Sequence, residues 1–336
     1  MTTPRSLPAL LRGFFQDYLA GQRDLSPNTI MAYRDTFKLF LQFAAKHCNR
    51  QVIHLDIEDL GPATVRSFLD HLEGERRNCV ATRNYRLVAI HRFFAYVAAF
   101  DPTLLHVCQR VLDVPIKKTS TCPMTYLDRN EIQAVLASPN RSQPLGLRDL
   151  ALLTFLYNTG TRVSELTALD VSDLRLESPA QVRVFGKGRK QRWCPLWTET
   201  TTILSVYLQQ RGISGEPSVP LFVNVRGQRI TRHGINVIIQ RLVATAADCA
   251  SLKGKQVSPH TFRHTAAMHL LQAGVELNVI RAWLGHVSIT TTSQYIEIDM
   301  KMKHEALKRC KPPVSVPPGR APWHSRKDII QWLRDL

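Results

Sequence analysis

Long apolar runs and paired cysteines are both missing from this sequence. No stretch of about 18 uninterrupted apolar residues occurs, so we expect no membrane-spanning helix. The seven cysteines lie far apart and form no Cys-x-x-Cys pair, which argues against a disulfide framework or a zinc ribbon and favours reduced thiols. The N-terminal residues MTTPRSLPALLRGFF lack the apolar stretch of a secretory signal. We therefore expect a cytoplasmic protein that does not associate with a membrane.

Acidic residues are scarce relative to basic ones. Lys and Arg number 44 against 27 Asp and Glu, which gives a formal net charge of +17. The excess is +4 over residues 1–110 and +13 over the rest of the chain. A distributed positive charge of this size favours a polyanionic partner, most often nucleic acid. A merely basic surface is the alternative.

Helical periodicity dominates the first third of the chain, whose 336 residues are enough for two domains. Ser26 and Pro27 suit the N-cap and the first position of a helix. Apolar residues then follow at spacings of three and four, which marks one buried face: Ile30, Tyr33, Phe37, Phe40, Leu41 and Ala44. Further helices are predicted from residue 61 and over 82–99. The last of these carries three arginines that either bind phosphates or are solvated on an outer face: Arg83, Arg86 and Arg92.

The periodicity stops between residues 113 and 126. That stretch, DVPIKKTSTCPMTY, contains two prolines and predicts an exposed linker. After it, Asp128 and Glu131 stand three apart, as in a capping box, and open a new helix. The remaining segments are predicted to be an N-terminal helical domain (1–112), a second domain (127–310), and a Pro-rich tether with a C-terminal helix (311–336).

The second domain is predicted to be mainly α-helical with one small antiparallel sheet. Residues 148–159, LRDLALLTFLYN, are too apolar for a surface element and predict a central helix that Gly160 ends. Short strands are predicted over 181–185 and 192–196, joined by the loop GKGRKQ. Helices are also predicted at 198–210, 233–247, 259–273, 277–284 and around 290–298.

The run SPHTFRHTAAMHLL concentrates ionisable groups at the start of a helix. Ser258 and Pro259 suit the N-cap and the first helical position. His260 then lies in the first turn, and Arg263 lies on its face one turn later. Free N–H groups at a helix N-terminus attract anions, and a guanidinium donates two hydrogen bonds to a phosphate. The run therefore predicts a phosphate site.

The same run allows a zinc site as an alternative, because His260 and His264 are four residues apart. No Glu follows the first histidine as a metalloprotease would require, and no cysteine lies near. Zinc is therefore disfavoured, and we interpret His264 and His269 as structural or surface residues.

Three further sequences place ionisable side chains near glycine. NTGTRVSELTALD puts Arg162 after a helix break, with Glu165 positioned to hold its guanidinium; a surface ion pair is the alternative. GKGRKQ puts Lys187 at a hairpin tip, where glycines let the backbone approach a ligand; a solubilising lysine is the alternative. RAWLGHVSITTTSQYIEID places His286 directly after a helix-ending glycine, and Tyr295 nine residues further on. A packing role is the alternative for the tyrosine.

In order and spacing these elements resemble the tyrosine recombinases, the phage-integrase and Xer-like group. That family carries an Arg in a TG-x-R-x-x-E-L context, a Lys in a GKG hairpin, H-x-x-R, L-G-H and finally a Tyr. The corresponding residues here, within 125–300, are Arg162, Lys187, His260, Arg263, His286 and Tyr295. The N-terminal helices resemble, more loosely, the family's SAM-like core-binding domain. Thr161 stands where an apolar residue is usual, and SITTTSQY differs in detail from the common S-x-x-TT-x-x-Y form.

The resemblance implies an enzyme that cuts DNA through a covalent 3′-phosphotyrosine and rejoins it without ATP. The roles it implies are nucleophile for Tyr295, phosphate clamp for Arg162 and Arg263, general acid for Lys187, proton acceptor for His260, phosphate hydrogen bond for His286, and support of the first arginine for Glu165. The sequence offers no carboxylate cluster for metal ions, so we expect neither a metal nor another cofactor.

Double-stranded DNA with inverted-repeat core sites is the partner that the resemblance implies. It also implies a homotetramer on synapsed DNA and a monomer or weak oligomer in the free state. DNA contacts are expected from Arg189 and Lys190 and from the three arginines of the N-terminal domain. The alternatives are a type IB-like topoisomerase and a DNA-binding protein that has lost catalysis.

The biological role and the position of the tail remain open at this point. Because no extra arm-type domain precedes residue 10, we expect a mobile-element or Xer-like role close to the nucleoid. Near the C-terminus, RKDIIQWLRDL follows the Pro-rich stretch KPPVSVPPGRAP and forms an amphipathic turn or two. We expect it to dock on a neighbouring protomer or to fold back on its own chain.

Overall fold

The computed structural model describes residues 6–119, 124–186, 190–213, 219–246 and 249–285. The chain divides into two compact units, Met1–Cys122 and Pro123–Leu336. Both are mainly helical, and the second also contains a three-stranded sheet. Within the part of the chain that is described, no helix combines the length and the apolar character needed to span a membrane.

The first unit is built from helices. They are α1 (Leu7–Arg12), which continues as a π-helix (Gly13–Gln22), α2 (Pro27–His47), α3 (Pro62–Gly74), α4 (Val80–Phe100) and α5 (Leu105–Leu112). Ser26 caps α2 as predicted, because its hydroxyl accepts a hydrogen bond from the Thr29 amide at 3.4 Å. The predicted inward face of α2 is confirmed at four positions that are buried: Tyr33, Phe37, Phe40 and Ala44.

Phenylalanine rings fill the core of this unit. Phe93 of α4 contacts Phe14 and Phe37, with ring centroids 5.3 and 5.1 Å apart, and the Phe40 and Phe68 rings lie 5.0 Å apart. All five are at most 2% exposed. Burial of one such side chain stabilises a fold by about 1.5–3 kcal/mol, so this cluster holds α2, α3 and α4 together.

Residues 113–117 lie in the exposed linker that the sequence predicts over 113–126, and all of them except Val114 are exposed, but the first unit anchors the stretch. Val114 is 2% exposed and belongs to the core of the first unit. The backbone of Lys117 pairs with the Asn84 amide, which donates to the Lys117 carbonyl at 2.7 Å and accepts from its N–H at 3.2 Å. This stretch therefore packs on α4, because a buried side chain and a two-way amide pair hold it there.

The second unit contains seven described helices. They are α6 (Arg129–Ala137), α7 (Pro144–Thr159), α8 (Val163–Ala168), α9 (Thr198–Gln210), α10 (Arg232–Thr245), α11 (Pro259–Gln272) and α12 (Leu277–Leu284). The predicted capping box of α6 is confirmed: Asp128 and Glu131 each accept the other's backbone N–H at 2.8 Å. As predicted, α7 is central, and it packs against α9 and α11.

The sheet is antiparallel, in the order β1 (Leu174–Arg175), β2 (Gln181–Phe185) and β3 (Gln191–Pro195). Opposite each other in the β2–β3 pair lie Val182 and Cys194, and next to them Val184 and Arg192. The sequence did not predict β1, because a two-residue strand carries no alternation of its own. The predicted helices around 290–298 and 326–336 lie outside the described residues.

Candidate active site

The turn after α7 sets the position of Arg162. α7 ends at Gly160, whose φ of 57° is left-handed and suits glycine. A methyl group there would also come within 2.5 Å of the Leu284 side chain and 3.5 Å of Ala266. The chain then extends through Arg162, the N-cap residue of α8. Arg162 thus lies two residues from the point where the end of α7 contacts α11 and α12.

Glu165 holds Arg162 in place. One carboxylate oxygen of Glu165 accepts the Arg162 backbone N–H at 2.9 Å, and the other accepts Nη1 of its guanidinium at 2.7 Å. The Glu165 side chain is 4% exposed, whereas that of Arg162 is 32% exposed. A buried anion therefore fixes a guanidinium that still reaches solvent.

Burial alone would raise the pKa of the Glu165 carboxyl. The hydrogen bond and the charge of Arg192, followed by the hydrogen bonds of Arg162, outweigh burial and hold this pKa below its ordinary value. The carboxylate is consequently ionised at neutral pH, as its role of holding two guanidiniums requires.

Arg263 joins the ends of two helices. It lies on α11, which Ser258 caps by accepting the Thr261 N–H at 3.4 Å. Its Nη1 donates to the Gly160 carbonyl at 2.6 Å and its Nη2 to the Leu284 carbonyl at 2.7 Å. Arg263 is only 4% exposed, so it lies deeper than an outer helical face would place it, because α11 is buried on almost every side.

The histidines of α11 lie next to this positive charge. The pKa of His260 is lowered first by burial and then by the charges of Arg263 and Arg162. The pKa of His264 is lowered to about 4, again first by burial, then by His260 and Arg263. Both rings are therefore neutral at pH 7, and part of His260 reaches solvent. His269 is a structural residue, since its Nδ1 lies 2.8 Å from the Tyr157 hydroxyl.

The hairpin between β2 and β3 starts beside Glu165. The Gly186 N–H donates to the Lys190 carbonyl at 2.8 Å, which closes the base of the loop. A methyl group on Gly186 would lie 3.6 Å from a Glu165 carboxylate oxygen. Lys190 is exposed. The predicted residues Lys187 and Arg189 lie outside the described residues, but both ends of their loop are next to the carboxylate that holds Arg162.

The C-terminal end of α12 reaches the same place. The helix ends at Gly285, with a φ of 65°, and the Leu284 carbonyl accepts from Arg263. His286 follows directly in the sequence. His286 and Tyr295 lie outside the described residues. The described part of the site thus brings together α8, the hairpin base, α11 and the end of α12.

Comparison with known proteins decides the family. Residues 125–302 match the description "Phage integrase family", and residues 14–99 match "Phage integrase, N-terminal SAM-like domain". The first match alone covers more than half of the chain. This chain belongs to the phage integrase family of tyrosine recombinases. It is therefore an enzyme that cleaves and rejoins DNA in site-specific recombination.

Relatives of this recombinase cover almost its whole length. It is 42% identical to the integrase/recombinase y4rC of Sinorhizobium fredii, over 93% of this chain and 94% of the relative. It is 32% identical to the tyrosine recombinase XerC of Pelobacter propionicus, over 90% of this chain and 95% of the relative.

Solved structures share the fold. The Tn1549 transposon integrase in complex with transposon right end DNA has a TM-score of 0.68 at 16% identity, over 91% of this chain and 99% of that one. The XerH recombinase bound to palindromic difH substrate has a TM-score of 0.67 at 20% identity, over 88% and 83% of the two chains.

The three arginines predicted to bind DNA in the SAM-like domain of this recombinase differ in their surroundings. Arg83 is 5% exposed and donates to the Asn84 side chain and the Pro115 carbonyl. This is a correction, because its guanidinium is used to hold residues 115–117 on α4. Arg86 is half-buried, and its Nη1 is enclosed, with no hydrogen-bond partner among the residues that the structure describes. Arg92 is partly exposed.

Arg192 is the residue of the recombinase site that the sequence interpretation missed. Its Nη2 donates to Glu165 at 2.7 Å and its Nε to the Trp283 carbonyl at 2.9 Å. A usable signal was present: in a strand with period two, Arg192 shares a face with Cys194, and Cys194 is buried. A charged residue on a buried face requires a partner of opposite charge.

Proposed function

We propose that this recombinase cleaves DNA by attack of the Tyr295 hydroxyl on a backbone phosphorus. The O–P bond that forms links the tyrosine to the 3′ phosphate, and the bond to the 5′ oxygen breaks. The bond energy is kept in the phosphotyrosine, so a 5′ hydroxyl can reverse the step without ATP. Lys187 supplies the proton to the leaving 5′ oxygen, and His260 accepts the tyrosine proton.

The observation that carries this proposal is the meeting of Arg162, His260 and Arg263. They come from two segments about one hundred positions apart in sequence, yet Arg263 donates to the carbonyl of Gly160, two residues before Arg162, at 2.6 Å. Both guanidiniums also lower the pKa of the His260 imidazole. Positively charged groups close to a bound phosphate stabilise the negative charge that accumulates on its oxygens during phosphoryl transfer. His286 would add a hydrogen bond to the same phosphate. A neutral His260 beside them has the protonation state of a proton acceptor.

We propose double-stranded DNA with inverted-repeat core sites as the substrate, and a homotetramer on two synapsed sites as the working assembly. The named DNA complexes of the structural relatives support DNA binding. In this chain, Arg86 is a half-buried residue of α4 and is one candidate for a phosphate contact. Arg92, Lys190 and Arg189 are the further candidates for phosphate contacts.

A mobile-element role is the biological function we favour, with Xer-like resolution of replicon dimers as the second candidate. The greater identity to an integrase/recombinase, 42% against 32% for a XerC protein, supports this order. Recombination of a plasmid that carries two copies of the core site would separate both roles from a topoisomerase, which relaxes DNA without exchanging partners.

Covalent capture tests the nucleophile. Wild-type protein is incubated with fragments of its host genome in EDTA, and DNA that stays attached after denaturation is sequenced to obtain the core site. A duplex of that site with a nick just beyond the cleavage point, which releases the short fragment that bears the new 5′ hydroxyl, then traps the adduct. We expect an adduct with wild-type protein and none with Tyr295→Phe, although the variant binds the duplex equally well, because it lacks only the nucleophilic oxygen.

Two results would contradict the assignment. An adduct formed by Tyr295→Phe would exclude Tyr295 as the nucleophile. Failure of wild-type protein to retain any genomic DNA in EDTA, with retention restored by added Mg²⁺, would exclude a mechanism without metal. Tyr207→Phe serves as the matched control, because Tyr207 is buried beside Phe222 and Arg211 and should not affect adduct formation.

A further inference from the structure

Arg192 occupies an unusual position for a charged residue. It lies opposite Val184 in the β2–β3 pair, on the face that also carries Val182 and Cys194. Those three neighbours are fully buried, and the Arg192 side chain is itself only 11% exposed. A guanidinium at such a place costs solvation free energy unless its donors are satisfied, so its partners define its role.

The first partner is the carboxylate that holds Arg162. Arg192 Nη2 donates to Glu165 Oε2 at 2.7 Å, and Arg162 Nη1 donates to Oε1 at 2.7 Å. The carboxylate is thus shared by two guanidiniums from different elements, one on β3 and one at the start of α8. Oε2 also accepts the Arg162 backbone N–H at 2.9 Å, so loss of Arg192 would remove one of the three hydrogen bonds that the described residues make to this carboxylate. The carboxylate would lose its link to β3, and Arg162 would be held less firmly.

The second partner is the last turn of α12. Arg192 Nε donates to the Trp283 carbonyl at 2.9 Å, and Arg263 Nη2 donates to the next carbonyl, that of Leu284, at 2.7 Å. Carbonyl groups in the last turn of a helix have no partner within the helix and carry partial negative charge. Two arginines from two elements therefore fix the direction in which the chain leaves α12 towards His286.

Two glycines show how closely the backbone approaches this guanidinium. A methyl group on Gly285 would lie 2.9 Å from Arg192 Nη1, and one on Gly186 would lie 3.7 Å from the same nitrogen. Gly285 is followed by His286 and Gly186 by Lys187. The Arg192 side chain is thus in reach of the backbone next to both.

We propose that Arg192 is the positioning residue of the recombinase site: it joins the Glu165–Arg162 pair to the end of α12 and the base of the hairpin. Through these contacts Arg192 fixes Arg162 relative to Gly285 and Gly186, the residues directly before His286 and Lys187 in the sequence, without touching DNA. This inference rests on the catalytic roles proposed above. A misplacement of about 1 Å can slow an enzyme about 100-fold, so the consequence of losing this residue is measurable.

Single-turnover cleavage of the nicked core-site duplex tests the proposal. We expect Arg192→Gln to bind the duplex with unchanged affinity and to form the phosphotyrosyl adduct about 100-fold more slowly. Arg192→Lys should recover part of that rate, because an ammonium can satisfy Glu165 but cannot also donate to the Trp283 carbonyl with the geometry of a guanidinium. Free guanidinium ion added to Arg192→Ala should raise its cleavage rate.

The pH profile separates positioning from a general loss of structure. The charged groups that face the Glu165 carboxylate in the described residues are Arg162 and Arg192. Removal of Arg192 withdraws the largest influence that lowers the pKa of Glu165, so this pKa rises. Cleavage by Arg192→Gln should then fall more on acidification than wild-type cleavage does, and recover when the pH is raised. The double variant Arg192→Gln/Glu165→Gln should lack this limb.

Arg183→Gln is the matched control. Arg183 lies on the neighbouring strand and pairs with the Asp173 carboxylate at 3.0 Å, but Asp173 holds none of the proposed catalytic groups. The Arg183→Gln variant should cleave at the wild-type rate. Equal cleavage rates for Arg192→Gln and wild type would contradict the positioning role of Arg192 but not the proposed function. A loss of cleavage rate that is not relieved by Arg192→Lys, by added guanidinium or by higher pH would have the same consequence. If wild-type protein forms no adduct, the proposed function itself fails.

Discussion

Single residues of this site owe their positions to backbone carbonyls as much as to opposite charges. Arg263 donates two hydrogen bonds, to the carbonyls of Gly160 and Leu284, and Arg192 donates one to the carbonyl of Trp283. Hydrogen bonds from a charged donor contribute about 1.5–3 kcal/mol each. Arginine suits this use, because its planar group can bind a carbonyl and another acceptor at once.

His260 gives a prediction for the pH dependence of cleavage. Its lowered pKa keeps the imidazole neutral at pH values below the ordinary histidine range of about 6.5. Initial cleavage rates measured with DNA far below saturation, which report the free enzyme, should stay constant from pH 8 down to about 6.5 and fall only below it. Loss of the proton acceptor in His260→Gln should slow cleavage about 100-fold and remove this limb.

Binding of the duplex is measured at each pH, so that a change in affinity is not mistaken for a change in rate. His233→Gln is the control, since His233 is an exposed residue of α10 that makes none of the contacts described above. A decline that begins well above pH 6.5 in wild-type protein would show that His260 is not the group that limits the rate.

Residue roles were predictable where a local motif carried them. The capping of α11 by Ser258 and the pairing of Arg162 with Glu165 follow from spacings of three residues, and both are present. The burial of Arg83 and the partners of Arg192 were not predictable. Each depends on a segment distant in the sequence, Pro115 for the first and Trp283 for the second.

At the level of elements, the end of α7 is where the helices that carry the site contact one another. Gly160 combines a left-handed backbone with direct contact to α12, because a methyl group would meet the Leu284 side chain at 2.5 Å. Its carbonyl also accepts from Arg263 of α11. Three helices therefore meet at one residue that has no side chain.

Substitution of Gly160 by alanine should be costly for two separable reasons. The left-handed conformation costs roughly 1–2 kcal/mol for alanine, and the enforced contact adds about 1–3 kcal/mol. Gly212→Ala is the matched control, since Gly212 has a φ of 67° but no atom of the described residues within 4 Å of the added methyl. Urea unfolding should show the larger loss of stability for Gly160→Ala, accompanied by slower cleavage. Equal losses for the two variants would contradict the packing argument.

Elements themselves were predicted well where the periodicity was strong. The bounds of α9 and α12 agree with the prediction at both ends, and those of α10 and α11 differ by at most two residues. The strand β1, which pairs with β2, was missed because its two residues are too few to show an alternation of their own. Packing of residues 113–117 on α4 was missed for a related reason: the anchor, Asn84, is about 30 positions away.

At the level of the whole molecule, charge and chain division agree with an enzyme that acts on a polyanion. The formal charge of +17 is spread over two compact units, so each unit offers basic groups of its own. Binding through phosphates releases counterions and weakens steeply as salt rises. Cleavage assays on variants therefore need one fixed ionic strength, since otherwise a change in affinity would hide a change in rate.

Assembly provides the last prediction. The sequence of residues 326–336, which follows a Pro-rich stretch, predicts a short helix with four apolar residues on one side: Ile329, Ile330, Leu333 and Leu336. If this helix docks on a neighbouring protomer, deletion of residues 312–336 should remove apolar contact between protomers but no DNA contact. The deleted protein should bind one core site normally and form fewer four-protomer complexes on two sites, as measured by analytical ultracentrifugation.

Point variants distinguish loss of the apolar contact from other effects of deleting the whole C-terminal segment. Ile330→Ser/Leu333→Ser should reproduce the assembly defect of the deletion, because both residues lie on the apolar side. Gln331→Ser, one position away on the polar side, should assemble normally. Four-protomer complexes of unchanged abundance after the deletion would show that the tail folds back on its own chain or is not used. A loss of single-site binding would instead place the tail among the DNA contacts.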